Sequence, residues 1–469
     1  MTWNTELRNL TALCALLLTG MTHAATGTRL DQAMEQQIEK IVLQELSATG
    51  TPSASIAIVI DGQIVSTKAY GLASLKPKVA ARPDMRYEIA SISKEFLGTA
   101  LVMLEADGRL SLDDKVSRYI PDAGPAADAT IRQLLSHTAG IRDYWPQDYV
   151  FEDMLKPISH DALLNRWAKQ PLDFEIGSKW QYSNTGYVLA GVIFEKVSGE
   201  ALFDFLQRRI FTPLQMTSVI NVDTGAIGSN DAIGYTSKGL SALEVAPTIG
   251  RGWLFAAGEL AMTAEDLARW DVSLIRQTLL SKAGYQALER DTLLNNGAAA
   301  HYGLGLRVST KNERRILAHN GGASGYVTSN VIYPDNQIAI VVLTNTDAGY
   351  AAGSISDRLQ NLILNQVSPQ DEQRKAEAQH LFADFARRRI DRTLFSPNFN
   401  VFFTEAALKE TAKALTMAGP VKKFTQKSSS TRGGMDTRVY EVETAKKTFT
   451  VVTRTLDNNL IEQYTFAPQ

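Results

Sequence analysis

Apolar residues recur every three to four positions from Leu30 to Leu46, the stripe of an amphipathic helix. From Ala54 to Ile60 the chain turns to β-formers. Asp61-Gly62 is a tight-turn pair and Gln63 to Tyr70 returns, so a hairpin is predicted. Glu95 to Ala106 has a helical period but is apolar on most sides, which predicts a buried helix. Ser111 to Leu280 mixes short helical patterns with many turns. Strand-formers return in Leu304–Ser309, Arg315–His319, Gly325–Tyr333 and Gln337–Asn345, with Pro334-Asp335-Asn336 turning between the last two, and Ser354 to Leu364 is helical again. Strands thus come from both ends of this region and helices from its middle. That order predicts an α+β fold: one antiparallel sheet assembled from both ends, flanked by helices, with a helical insert.

The pattern changes after this region. Pro369 to Lys375 is polar and reads as a linker. Ala376–Arg389 and Glu405–Met417 then follow as helices, the second stopped by Gly419-Pro420, and Arg438–Glu443, Thr448–Thr455 and Leu460–Phe466 alternate as strands. Residues 376–469 form a small, mildly basic α+β domain in this reading. Helices followed by strands resemble small cone-shaped NTF2-like domains, and a stabilising or docking appendage is the expected role.

At the other end, Arg8 precedes a hydrophobic run from Leu10 to Met21, and Thr22-His23-Ala24 offers small residues for cleavage. The run is short for a bilayer span, so residues 1–24 read as a signal peptide rather than an uncleaved anchor. Residues 25–368 are then the main domain, 369–375 the linker and 376–469 the appendage. Export to the periplasm or the exterior is expected, with no membrane span left after cleavage. Cys14 is the only cysteine and lies inside this run, without a lipoprotein signal around it. The mature chain therefore has no disulfide, thiolate nucleophile or redox pair. A net charge of -2 gives no field that draws nucleic acid, so a small ester, amide or peptide is the expected partner. No oligomeric state follows from the sequence.

Three segments carry candidate chemistry. Ile89-Ala90-Ser91-Ile92-Ser93-Lys94 opens the apolar helix, and Lys94 lies one turn after Ser91 on the same face. A serine hydroxyl needs a base, and a lysine becomes one when burial lowers its pKa. Alone, Ser-x-x-Lys occurs by chance in many chains, and such a serine is more often only an N-cap. Tyr182-Ser183-Asn184 places a proton-relaying phenol two residues from an amide that both donates and accepts. If the chain is extended there, both side chains point the same way. Alone, this segment reads as a turn with a packed aromatic. His319-Asn320-Gly321-Gly322 ends a predicted strand, where glycines let a substrate approach. The N–H groups of Ser91 and Gly322 are candidate oxyanion donors.

These elements, in this order, resemble the penicillin-recognising serine enzymes, whose Ser-x-x-Lys and Lys-Thr-Gly segments are catalytic. The resemblance is to the class C β-lactamase-like branch, with its family VIII carboxylesterases and D-stereospecific peptidases. Leu134-Leu135-Ser136-His137-Thr138-Ala139-Gly140-Ile141 and Ala256-Ala257-Gly258-Glu259-Leu260-Ala261-Met262-Thr263-Ala264-Glu265-Asp266-Leu267 match two further segments of that branch. The likeness covers about residues 30 to 365 and implies a β-lactamase/transpeptidase-like fold needing no cofactor or metal. By motif, Ser91 is the acylated nucleophile, Lys94 shares its proton with the base Tyr182, and Asn184 orients substrate and Lys94. His319 stands where lactamases usually have the lysine of Lys-Thr-Gly. Tyr144 and Tyr326 line the cleft by analogy.

The histidine shifts the expectation. A lysine there is a permanent cation for a substrate carboxylate, whereas a histidine is mostly neutral near pH 7. An esterase or D-peptidase type of hydrolase is therefore expected ahead of a class C β-lactamase or a D-Ala-D-Ala carboxypeptidase. Acyl transfer to another acceptor uses the same acyl-enzyme. A penicillin-fold protein kept only for binding or sensing is the alternative of another class, but Ser91, Lys94, Tyr182 and Asn184 are all present. The chain has no Gly-x-Ser-x-Gly elbow and no His-Glu-x-x-His.

Overall fold

Asp31 starts the first helix in the computed structural model, which describes residues 30–468 apart from 148, 240, 368, 433 and 457. The expected signal peptide lies outside the described residues. The Asp31 carboxylate accepts the N–H of Met34 at 2.7 Å, satisfying one free donor of the first turn. Gln32–Thr49 (α1) follows and ends at Gly50 in the left-handed region, φ 70°. Met34, Ile38, Val42 and Leu46 form its buried stripe, at the period of the sequence.

Seven strands make the main sheet: Ser53–Ile60 (β1), Gln63–Leu75 (β2), Lys78–Ala80 (β3), Arg307–Lys311 (β4), Arg314–Ala323 (β5), Tyr326–Tyr333 (β6) and Ile338–Thr344 (β7). Their spatial order is β3-β2-β1-β7-β6-β5-β4, and every neighbouring pair is antiparallel. The expected sheet from both ends is present. Its seam is the β1–β7 pair, registered from Ala54↔Thr344 to Val59↔Ala339.

Both faces of that seam are covered. Four further helices are Ser93–Ala106 (α2), Asn184–Ser198 (α3), Ala264–Arg276 (α4) and Ala351–Val367 (α5). Ile56, Ile58 and Ile60 of β1, with Ile340 and Val342 of β7, share one core with α1 and α5. Ala57 and Val59, with Val341 and Leu343, face the other core, which holds Phe96 of α2 and Trp270 of α4. The period-two alternation thus feeds two cores from one strand pair, and α2 is buried as its all-round apolar pattern predicts.

The C-terminal region has its own sheet. Pro369–Arg387 (α6) and Glu405–Ala418 (α7) precede Val421–Arg432 (β8), Met435–Thr444 (β9), Thr448–Thr455 (β10) and Ile461–Pro468 (β11), antiparallel in chain order. Phe382, Phe385, Tyr440, Val451 and Tyr464 form a separate core. Two expectations change here. The segment read as a linker is the start of α6: a proline at the first helical position followed by acidic residues is also a helix-start signal. The Lys- and Ser-rich β8 was not among the expected strands. As an edge strand it pairs only with β9, and such a composition suits an edge.

Candidate active site

Ser91 lies in a single tight turn, Ala90–Ile92, that leads directly into α2. Ala90 has φ 48°, a sparsely populated conformation for a residue with a side chain. The surroundings hold it. Ile89 N–H donates to Leu260 O at 3.0 Å, and Leu260 N–H donates to Ser93 Oγ at 3.1 Å. On the other side, β5 presses against the same turn through Gly321. A Cβ there would lie 2.1 Å from Ile89 O and 2.4 Å from Thr328 Oγ1, so only glycine fits. The expected strand ending at His319 in fact runs on through Asn320-Gly321-Gly322 to Ala323.

Lys94 is wholly buried and its Nζ meets three oxygens: Ser91 Oγ at 3.0 Å, Asn184 Oδ1 at 2.8 Å and the carbonyl of Ala257 at 2.6 Å. Burial lowers its pKa to about 7, against the opposing field of Asp143. The three contacts have a chemical consequence. A carbonyl and an amide oxygen can only accept, so they take the two N–H groups of a neutral amine. The remaining lone pair then faces the Ser91 hydroxyl. Ala257 is placed by a turn in which Ala256 has φ 58° and donates its N–H to Glu259 Oε1 at 3.2 Å.

The orientation of Asn184 is set from behind. Ser183 is extended and its Oγ caps α3, accepting Gly186 N–H at 3.2 Å. Asn184 opens the helix with its backbone N–H donating to Asp143 Oδ1 at 3.0 Å and its Nδ2 donating to Oδ2 at 3.3 Å. A carboxylate accepts only, so Nδ2 faces Asp143 and Oδ1 faces Lys94. Burial raises the Asp143 pKa, while Trp145 N–H, Asn184 and Lys94 counter that rise.

Tyr182 lies on the same side of the cleft, its ring centroid 4.9 Å from Lys94 Nζ. The ring packs 4.3 Å from His137 and 6.3 Å from His319. His137 has φ 60°, and its Nδ1 accepts Ser183 N–H at 3.1 Å. It therefore braces both halves of Tyr182-Ser183-Asn184. His319 donates from Nδ1 to its neighbour's carbonyl, Asn320 O, at 2.6 Å, so Nε2 accepts from the Tyr302 hydroxyl at 2.7 Å. Burial, with Lys94 nearby, lowers its pKa to about 3, and the imidazole is neutral.

A cleft of about 570 Å³ opens over this cluster, lined by Ser91, Tyr182, Asn184, His319, Gly321 and Gly322. Tyr144 also lines it, although its ring is buried and its hydroxyl donates to Trp253 O. Tyr326 does not. Its side chain turns into the core, where the hydroxyl donates to Ala232 O at 2.7 Å and the ring meets Tyr87 edge-on. It starts β6, and the alternation of a strand puts its neighbour Val327 toward the cleft instead. Sequence reasoning assigned no role to Asp143, Ala257, Tyr302, Arg307 or Asp347. Asp143 lies two residues after the Leu134–Ile141 segment, whose likeness to known sequences was its only signal. Arg307 and Asp347 are the only two charged side chains lining the cleft among the described residues.

A family model described as beta-lactamase matches residues 30–364. The protein flp of Staphylococcus aureus (strain N315) is 30% identical over 353 residues, covering 72% of this chain and 68% of that protein. Penicillin-binding protein 4* of Bacillus subtilis (strain 168) is 32% identical over 300 residues, 61% of this chain and 66% of the relative. Among solved structures, a D-stereospecific amidohydrolase from Streptomyces sp. superposes with a TM-score of 0.60 at 26% identity, over 70% of this chain and 97% of the other.

Proposed function

Because the chain belongs to the β-lactamase family of serine hydrolases, we propose that Ser91 is its nucleophile and opens ester or amide carbonyls through an acyl-enzyme. The observation that carries this reading is Lys94: buried, with a pKa of about 7 and a lone pair directed at Ser91 when neutral. As Oγ attacks the carbonyl carbon, the hydroxyl proton passes to Nζ. The oxyanion receives the N–H groups of Ser91 and Gly322, each worth roughly 100- to 1000-fold in rate. Lys94 returns the proton to the leaving oxygen or nitrogen, with Tyr182 beside it as relay. Water then repeats the sequence on the acyl-enzyme.

The neutral His319 supports an esterase or D-peptidase type of substrate, since it offers no fixed cation. The similarity to a D-stereospecific amidohydrolase points the same way. Arg307 favours a second reading. A permanent cation does line the cleft, one strand away from His319, so a leaving group with a carboxylate has a partner, as in a D-Ala-D-Ala carboxypeptidase or a class C β-lactamase. Incubation with a fluorophosphonate followed by peptide mass spectrometry tests the shared chemistry. The adduct belongs on Ser91, and Ser91→Ala abolishes ester turnover. A panel of short-chain esters, D-amino-acid amides and a chromogenic cephalosporin separates the two readings.

A further inference from the structure

β4 pairs with β5 only over Arg314 to Ala318, and its first residue, Arg307, stands opposite Ala318. Beyond that point β6 covers one edge of β5 up to Ala323, and the other edge faces the cleft. An extended peptide can add to such an edge. In the antiparallel sense it continues the line of β4, with its C-terminus toward Arg307 and its N-terminus toward the Ser324–Gly325 end.

Asp347 stands at that second end. Its Oδ2 accepts Gly325 N–H at 2.9 Å, which fixes the carboxylate, and its own N–H donates to Tyr235 O at 3.1 Å. The other carboxylate oxygen has no hydrogen-bond partner among the described residues, and the residue is exposed to the cleft. Neither Asp347 nor Arg307 forms an ion pair among the described residues. Arg307 lies over the Trp180 ring, 5.9 Å from its centroid. The two ends of the cleft therefore carry opposite, uncompensated charges, and the stretch between them is uncharged, rimmed by the exposed rings of Tyr149 and Tyr350.

We propose that Asp347 is a binding site for the free ammonium of the acyl-side residue, so that the preferred substrate is a short peptide with an unblocked N-terminus. Strand direction and charge agree independently: antiparallel addition puts an amino terminus at Asp347 and a carboxylate at Arg307. On β5, Ala318 and Ala323 are about 16 Å apart along an extended strand, and Gly325 lies in the turn just beyond. With both side chains reaching inward, a peptide of roughly two to four residues spans the gap. The inference rests on the Ser91 acyl-enzyme reading for its chemistry, but not for its binding.

The test separates the two. Binding of tri-D-alanine and tri-L-alanine, each free and N-acetylated, is measured by calorimetry on Ser91→Ala protein, which forms no acyl-enzyme. The free amine of the accepted enantiomer binds about fivefold more tightly than its acetyl derivative, the scale of one partly open ion pair. That preference disappears when Asp347→Asn is added and persists with Asp347→Glu. Asn keeps an acceptor for Gly325 N–H, so the turn is retained. Equal affinity for free and acetylated peptides, or a preference that survives Asp347→Asn, overturns the proposal. Failure of the wild-type protein to turn over p-nitrophenyl butyrate overturns the acyl-enzyme reading instead.

Discussion

The carboxylate of Asp143 holds Asn184 at two points, its backbone N–H at 3.0 Å and its side-chain amide at 3.3 Å. This pair decides which end of the amide meets Lys94, so in the proposed mechanism Asp143 is a positioning residue that acts through Asn184. Its charge also raises the Lys94 pKa. Asp143→Asn removes the field, and the lysine then loses its proton more readily. The expected outcome is a roughly tenfold fall in kcat together with an acid limb of the pH–rate profile displaced to lower pH. A variant that loses activity with the limb unmoved would assign Asp143 a structural role only.

In the proposed mechanism Lys94 acts as a base only when neutral. Its pKa of about 7 therefore sets the acid limb: kcat/KM falls as the pH drops below that value. Lys94→Arg keeps the cation but cannot release the proton, and a loss of about 100- to 10,000-fold is expected at every pH. Steady-state kinetics from pH 5 to 9 checks both. His319, neutral throughout this range, contributes no limb, so His319→Gln changes kcat/KM without moving the midpoint.

Gly321 is the contact through which β5 reaches the Ser91 turn. Gly321→Ala forces a methyl against the Ile89 carbonyl and Thr328. The expected cost is about 1–3 kcal/mol or more in stability. Catalysis should fall further than the stability loss explains, because the strand and Ser91 move apart. Calorimetry and ester turnover on the same preparation distinguish the two effects. Gly322, where a Cβ meets nothing within 4 Å, should tolerate alanine in stability.

Next to Lys94, Glu95 is buried and receives the Trp270 indole N–H at 2.6 Å. Burial raises its pKa to about 8, so the folded protein holds it as a neutral acid at pH 7. The folded value lies above the unfolded one near 4.5. The stability this group contributes is thus full below pH 4.5 and is lost as the pH rises toward 8. Glu95→Gln cannot ionise and keeps an acceptor for Trp270. The Tm of the variant relative to wild type should climb by a few degrees between pH 5 and 8. A constant difference would contradict this assignment.

Much of the fold is legible in the residues. The stripe of α1 carries a clean period because one face lies in a core, and β1, β6 and β7 read as runs of β-formers because both of their faces are buried. The polar β8 and the start of α6 show neither, since β8 is an edge strand and the opening of α6 is polar in sequence. The site divides in the same way. Ser91, Lys94, Tyr182 and Asn184 are ambiguous singly and become readable only through their combination and order along the chain. Asp143, Ala257 and Asp347 are not readable even so. One acts through an amide, one through a backbone carbonyl and one by its place at a strand end, and none of these leaves a local pattern. Tyr326 shows the converse. Analogy placed it in the cleft, but the pleat of β6 points it into the core.

The seam between β1 and β7 brings Ser53 N–H to Asn345 Oδ1 at 2.8 Å across 292 residues of chain. Strand pairing over such a separation makes closure late and slow. A ribosome that has delivered the first 250 residues has already made the serine, the lysine and the asparagine, yet β5 does not exist and Ile89 has nothing to press against. The nascent chain carries the reagents without the reactor. The proposed activity needs the last strands of the sheet, so truncations within β6 or β7 should abolish it as completely as loss of Ser91 itself.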